Sequence, residues 1–218
     1  IVWGLPHVFA VYLILAASGA LNAASVSSVF GRTDFSPLTR LSGLLAITLL
    51  VGGLAVLVLD LGRPDRLIVA MTHYNFKSVF AWNIFLYTGF VVVVIGYLWM
   101  MMEPRMNRYT KQVGLLALCW RFVLTSGTGA IFGFLVAREA YDTAIMAPMF
   151  IVMSLAQGTA VFLLVSTAVF HWSGYRPAAE LVAKLRRLLA IFILVVLYLV
   201  VLYHLTNLYI AQHHGVER

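Results

Sequence analysis

The chain has 218 residues, 62% of them hydrophobic and 11% charged, with a formal net charge of +7 and a mean hydropathy of +0.96. Soluble domains carry about 25% charged residues, so the composition excludes a water-soluble globular protein and predicts an integral membrane one. The single cysteine, Cys119, excludes an internal disulfide and any iron–sulfur cluster ligated by this chain alone, which takes about four thiolates. No basic stretch is interleaved with exposed aromatics, so the positive charge reads as topology-setting and not as a nucleic-acid surface.

The predicted fold is all-α: a polytopic transmembrane helical bundle with about six spans, near residues 5–30, 41–61, 79–102, 113–137, 147–171 and 188–211. Each run is long enough to cross a hydrocarbon core of roughly 30 Å at about 1.5 Å per residue. The runs are continuously apolar and do not alternate, which separates them from barrel strands. The chain opens Ile1-Val2-Trp3-Gly4 with neither an initiator methionine nor a basic leader, and so reads as a piece of a longer protein.

The first span carries His7 near one end, then Ser18-Gly19 and Asn22. The second contains Gly52-Gly53 and leaves the membrane through Leu59-Asp60-Leu61-Gly62-Arg63-Pro64-Asp65-Arg66, where four charges fall within seven residues. Pro64 must bend or stop the helix. Asp60 and Arg63, three residues apart, share a face if the helix continues that far. This polar mouth is either a site wall or a helix stop with solvated charges.

Asn83 lies near the start of the third span. The fourth carries Arg121, then Gly129 and Gly133 in small-xxx-small spacing that lets backbones approach. An arginine keeps its charge, so Arg121 must snorkel to the nearer interface, find a partner, or hydrate a cavity. Snorkelling is the leading expectation. The alternative is a proton or water path with Asn22, Gln157 and Thr125 as polar neighbours. Tyr141 and Asp142 follow that span, and His204 lies near the end of the sixth. Residues 178–187 read as a basic amphipathic turn anchored at the membrane surface.

Lys and Arg in the connectors sort into nine on one side (Arg32, Arg40, Arg105, Arg108, Lys111, Arg176, Lys184, Arg186, Arg187) and five on the other (Arg63, Arg66, Lys77, Arg138, Arg218). The nine-charge side is expected to be cytoplasmic. His7, Asp60, Asn83, Asp142 and His204 then share the outer layer. Neutral imidazole and carboxylate groups at that depth suit coupled proton and electron exchange with a quinone. The competing reading is interfacial residues satisfied by backbone or water. Metal-ligating clusters, phosphate-cradling loops and dinucleotide fingerprints are absent from the sequence.

Leu59-Asp60-Leu61-Gly62-Arg63-Pro64, together with Trp3-Gly4 and Tyr12-Leu13 leading into the small residues at 16–20, resembles the membrane subunits of the polysulfide reductase (NrfD-type) family. The stretches Asp65-Arg66-Leu67 and Phe80-Ala81-Trp82-Asn83 look closest to its DsrP-like members. The resemblance implies an eight-to-ten-helix protein of which this chain is an incomplete copy. Residues 1–140 would form a four-helix quinone-site bundle, and 141–218 would start a second.

It further implies a subunit of a respiratory-type oxidoreductase in the bacterial or archaeal cytoplasmic membrane, with a place in sulfur-compound metabolism. Such a subunit exchanges electrons between quinone or menaquinone and a ferredoxin-like iron–sulfur subunit on the outer face, with no haem or cluster of its own. By the motif, Asp60 and Arg63 fall in the quinone pocket, and His7 does so by position. Asn83, Tyr141, Asp142 and His204 have the right depth. Asp60 and His7 are the expected catalytic pair, and Arg121, Asn22 and Gln157 the expected proton path. Two other classes stay open: a haem-b anchor, for which only His7 and His204 could supply axial ligands, and a secondary transporter.

Overall fold

The computed structural model describes residues 4–31, 35–60, 69, 72, 79–103, 105–134, 143–174 and 179–209. Among them seven α-helices follow in order: α1 (Leu5–Ala20), α2 (Asn22–Ser28), α3 (Ser36–Asp60), α4 (Val79–Met102), α5 (Thr110–Gly133), α6 (Met146–Ser173) and α7 (Ala179–Tyr209). The first two make one broken span. Six helical segments are therefore long and apolar enough to cross a membrane, and no strand occurs among the described residues.

The α1–α2 span is the hub. It packs against α3 and α6 along most of its length and meets α5 through α2, while α4 bridges α5 and α3, and α7 lies on α6. One core cluster joins Ile14, Ala17, Leu21, Leu50, Phe90 and Leu124. A second gathers Leu15, Phe132, Met146, Met149 and Phe150 near the end where α1 begins. Outward positions such as Phe85, Val92, Trp99, Leu164 and Leu194 are exposed, as expected of surfaces that face acyl chains. Gly31 and Gly174 both have φ 68°, and Gly174 ends α6 in the left-handed conformation that glycine adopts without a Cβ clash.

Small residues set the closest contacts. A Cβ on Gly19 would overlap the carbonyl of Ser154, and one on Gly158 would overlap the Gly19 backbone, so α1 and α6 meet main chain to main chain. On α5, a Cβ on Gly129 would lie 2.8 Å from Ala147 Cα and one on Gly133 would lie 2.8 Å from the Thr143 carbonyl oxygen. Gly53 faces Ala10 and Ile14 of α1, whereas Gly52 has nothing within 4 Å. Both the Ser18-Gly19 patch and the Gly129/Gly133 pair thus mark helix contacts.

The structure refines two of the expected spans and corrects the reading of residues 179–187. The first span is not one helix: it breaks at Leu21 (φ −71°, ψ 0°), because freed backbone groups there find side-chain partners on neighbouring helices. The fourth span starts at Thr110, three residues earlier than hydropathy places it. Residues 179–187 are no separate surface turn but the opening turns of the 31-residue α7. Leu181 and Leu185, four residues apart, bury one face against Phe35, Leu38 and Phe162, while Lys184 and Glu180 pair at 2.8 Å on the polar face.

The α1–α6 contact gives a direct test by thermal unfolding in detergent micelles. Gly158→Val is expected to lower stability by about 2 kcal/mol through overpacking. Gly52→Ala should be neutral or slightly stabilising, since alanine is the better helix former and the site is open. Equal tolerance at both positions would remove the close approach as a determinant of the fold.

Candidate functional site

Two polar layers hold the candidate site residues: a knot in mid-membrane and a mouth at the end where α1 begins and α3 ends. The knot is built on Arg121, eleven residues past the start of α5 at Thr110 and so about 16 Å into the span. It is 4% exposed. Its Nη1 donates to the Ser18 carbonyl at 3.2 Å and to Asn22 Oδ1 at 2.8 Å. The snorkelling expectation is therefore wrong: the guanidinium points inward, because α1 offers it acceptors at its broken end.

Ser18 sits in the last turn of α1, whose carbonyls carry the negative end of the helix dipole and lack intrahelical donors. Arg121 supplies both a donor and a compensating charge. Ser42 of α3 serves the other side of the break, donating to the Ala20 carbonyl at 2.6 Å and accepting from the Ala24 N–H at 3.3 Å. Asn22 is held in turn: its Nδ2 donates to Thr159 Oγ1 at 2.8 Å and to the Leu155 carbonyl at 3.2 Å. Thr159 donates on to Leu155 at 2.7 Å. One directional chain thus runs from Arg121 on α5 through Asn22 on α2 to α6.

Of the expected neighbours of Arg121, Asn22 is a direct partner. Thr125 instead donates back to the Arg121 carbonyl of its own helix at 2.9 Å. Gln157 contributes no hydrogen bond to the knot among the described residues; its Oε1 is buried without a partner, as is Arg121 Nε. Sequence alone does not single out Ser42 or Thr159. A threonine in an apolar helix usually bonds its own carbonyls, as Thr167 does here at 2.7 Å, so nothing in the sequence distinguishes Thr159 from it.

At the mouth, His7 is half-buried in the first turn of α1, with its ring edge-on to Phe132 of α5 at 6.4 Å between centroids. Phe132 stacks on Phe150 of α6 at 5.1 Å, which gives the imidazole an aromatic wall from two helices. Asp60 closes α3, and the structure describes its backbone only. The contact of Gly53 with Ala10–Ile14 sets the register of the two helices. Asp60 lies seven residues beyond Gly53, and His7 three to seven residues before the Ala10–Ile14 level. Both therefore end within about one turn of each other in depth.

Asn83 is buried on α4 and donates from Nδ2 to the Gly127 carbonyl of α5 at 3.1 Å, a bond that ties two helices at the same end. Further into the bundle, Tyr87 OH and Thr128 Oγ1 lie 3.1 Å apart and Trp120 Nε1 donates to the Leu86 carbonyl at 2.9 Å. His204 is exposed on α7, its ring 5.2 Å from that of Tyr203. Tyr203, not His204, packs toward the Phe132 cluster. Arg63, Tyr141 and Asp142 lie outside the described residues. No group of three or more His, Cys, Asp or Glu able to hold a metal ion occurs among the described residues, and Cys119 is exposed.

Six membrane-spanning segments, the broken α1–α2 span and five others packed with it, define a multi-pass membrane protein. Residues 1–216 match the family described as polysulphide reductase, NrfD, and the chain belongs to that family. It is 28% identical over 216 residues to the Hdr-like menaquinol oxidoreductase integral membrane subunit of Archaeoglobus fulgidus, a match covering 99% of this chain and 54% of the relative. It is 26% identical over 236 residues to a putative dimethyl sulfoxide reductase membrane subunit of Halobacterium salinarum, covering 98% and 54%. A selenate reductase subunit of Mesobacillus selenatarsenatis is 22% identical over 250 residues, covering 97% and 58%. The chain spans about half the length of the curated relatives it matches.

The knot predicts a non-additive pair of variants, read as thermal stability in micelles. Asn22→Leu strands the buried cation and should cost about 3 kcal/mol, the range for removing one partner of a buried charge. Adding Arg121→Met removes the stranded charge, so the double variant should regain part of that loss. A double variant whose loss equals the sum of the singles would show that the two residues are not coupled.

Proposed function

We propose that this chain is the quinone-reactive membrane subunit of a multi-subunit oxidoreductase, exchanging electrons between the quinone pool and an iron–sulfur partner subunit. The observation that carries the reading is the shared depth of His7 and the α3 end at Asp60 on two packed antiparallel helices. These are two groups able to move protons at one lipid-accessible mouth. Membership of the NrfD family and the naming of the Archaeoglobus relative as a menaquinol oxidoreductase subunit support a quinone as the molecule taken there. With one exposed cysteine, the cluster that receives or gives the electrons belongs to another subunit, ferredoxin-like in this proposal.

A quinol brings two electrons and two protons to such a mouth. His7 holds one oxygen by a hydrogen bond and takes its proton; neutral imidazole can accept on one nitrogen while donating on the other. Phe132 and Phe150 give the ring an apolar face to lie against. Asp60 takes the second proton, and Arg63, three residues on, orients or polarises an oxygen. Asn83, Tyr141, Asp142 and His204 are assigned to the same layer.

Arg121, Asn22 and Gln157 are assigned to a proton path through mid-membrane, with the buried Arg121 Nε and Gln157 Oε1 as its open hydrogen-bonding positions. In this proposal the mouth and the iron–sulfur partner are on the outer face of a bacterial or archaeal cytoplasmic membrane, an orientation that the excess of basic residues on the opposite side supports.

In the intact complex, Asp60→Asn should reduce quinone-dependent turnover at least 100-fold while leaving reduction of an artificial dye at the partner subunit within twofold, as assayed by parallel spectrophotometry. His7→Phe should do the same. Unchanged quinone turnover in both variants would overturn the assignment.

A further inference from the structure

The end of the bundle opposite His7 holds a cleft of about 380 Å³, within the size range of small-molecule sites. Its walls come from four elements: Ser27 and Ser28 of α2, Thr39 and Arg40 of α3, Met101 of α4, and Thr110 and Lys111 at the start of α5. Both cations are exposed. No ion pair to a carboxylate involves either of them among the described residues, where Lys184–Glu180 is the pair formed.

Two of the lining hydroxyls are engaged with their own helices. Ser28 donates to the Ala24 carbonyl at 2.9 Å and Thr39 to the Phe35 carbonyl at 3.2 Å. Two positive charges lining one cleft from different helices, beside the first-turn N–H groups of α5, favour an anion there.

The residues one turn deeper say which anion. Leu44 is four residues beyond Arg40 on the same face of α3, and Leu115 four beyond Lys111 on α5; they are 58% and 49% exposed. Each cation therefore stands one turn above an exposed leucine on its own helix, and Met101 adds an apolar side chain to the cleft lining. A ligand with phosphate at one end and hydrocarbon at the other matches both levels.

We propose that this cleft is a binding site for an anionic phospholipid, its phosphate held between Arg40 and Lys111 and its acyl chains lying along Leu44 and Leu115. The site is at the opposite end from the quinone mouth and does not rest on that reading.

Native mass spectrometry of the full chain in detergent, titrated with phosphatidylglycerol or with phosphatidylcholine of the same acyl chains, tests the proposal. Phosphatidylglycerol should be retained at a concentration at least tenfold lower; equal retention would overturn the site. Arg40→Gln with Lys111→Gln should lose about fivefold per cation removed, roughly 25-fold together, with an unchanged circular dichroism spectrum. Ser27→Glu keeps both cations but adds a carboxylate to the cleft, and it should also abolish the preference.

Arg186→Gln with Arg187→Gln removes the same charge from α7, no residue of which lines the cleft, and should change nothing. A comparable loss there, or retention in both cleft variants, would contradict the proposal. Inorganic phosphate at 10 mM should not displace the lipid; full displacement would make free phosphate the ligand and overturn the lipid assignment.

Discussion

The structure depends on solving one problem, a guanidinium held in the middle of a hydrocarbon-spanning bundle. Removing one partner from a buried charge costs about 3–5 kcal/mol, and no carboxylate on the described residues pairs with Arg121. The solution is a set of dipoles. The carbonyl end of α1 and the Asn22 amide face the cation, and Asn22 is oriented from behind by Thr159 and Leu155. For this to work, α1 must end in mid-membrane and α6 must come within main-chain contact of it. The break at Leu21 and the Gly19–Gly158 approach are thus parts of one arrangement. Ser42 completes it by binding the Ala20 carbonyl and the Ala24 amide.

That arrangement divides the protein by depth. The middle is fixed by a directional hydrogen-bond chain across α5, α2 and α6. The mouth is built differently, from helix ends and an aromatic wall, with His7 half-buried and Phe132 and Phe150 beneath it. A site that exchanges a lipid-soluble molecule needs an accessible edge on a rigid support, and the division supplies one. The far end carries the basic cleft, where charge stands one turn above exposed leucines. Three polar levels are therefore stacked along one bundle, with the central helix break in the middle one.

Much of this is legible in the sequence because it is local. Continuous apolar runs specify spans, and small residues at 18–19, 129 and 133 mark contacts that do not depend on which partner they meet. Alternating span direction is enough to bring His7 and Asp60 to one end. What is not legible depends on partners far apart in sequence. Leu21 breaks the first span without a proline, and its freed groups are satisfied by residues 22 and 103 positions away from those they bind. Snorkelling is the natural expectation for Arg121 because an isolated helix offers it nothing better. The amphipathic pattern of 179–187 suits a surface turn equally well, since sequence periodicity cannot tell a membrane surface from the flank of a bundle.

The central claim is that a quinone headgroup is held at the mouth formed by the start of α1 and the end of α3. The most direct measurement is photo-crosslinking of the intact complex with a photoreactive menaquinone analogue, followed by peptide mapping. The account predicts labels within residues 5–11 and 57–66 that are competed by unmodified menaquinone. Competable labelling confined to the opposite end, around Arg40 and Lys111, would contradict it.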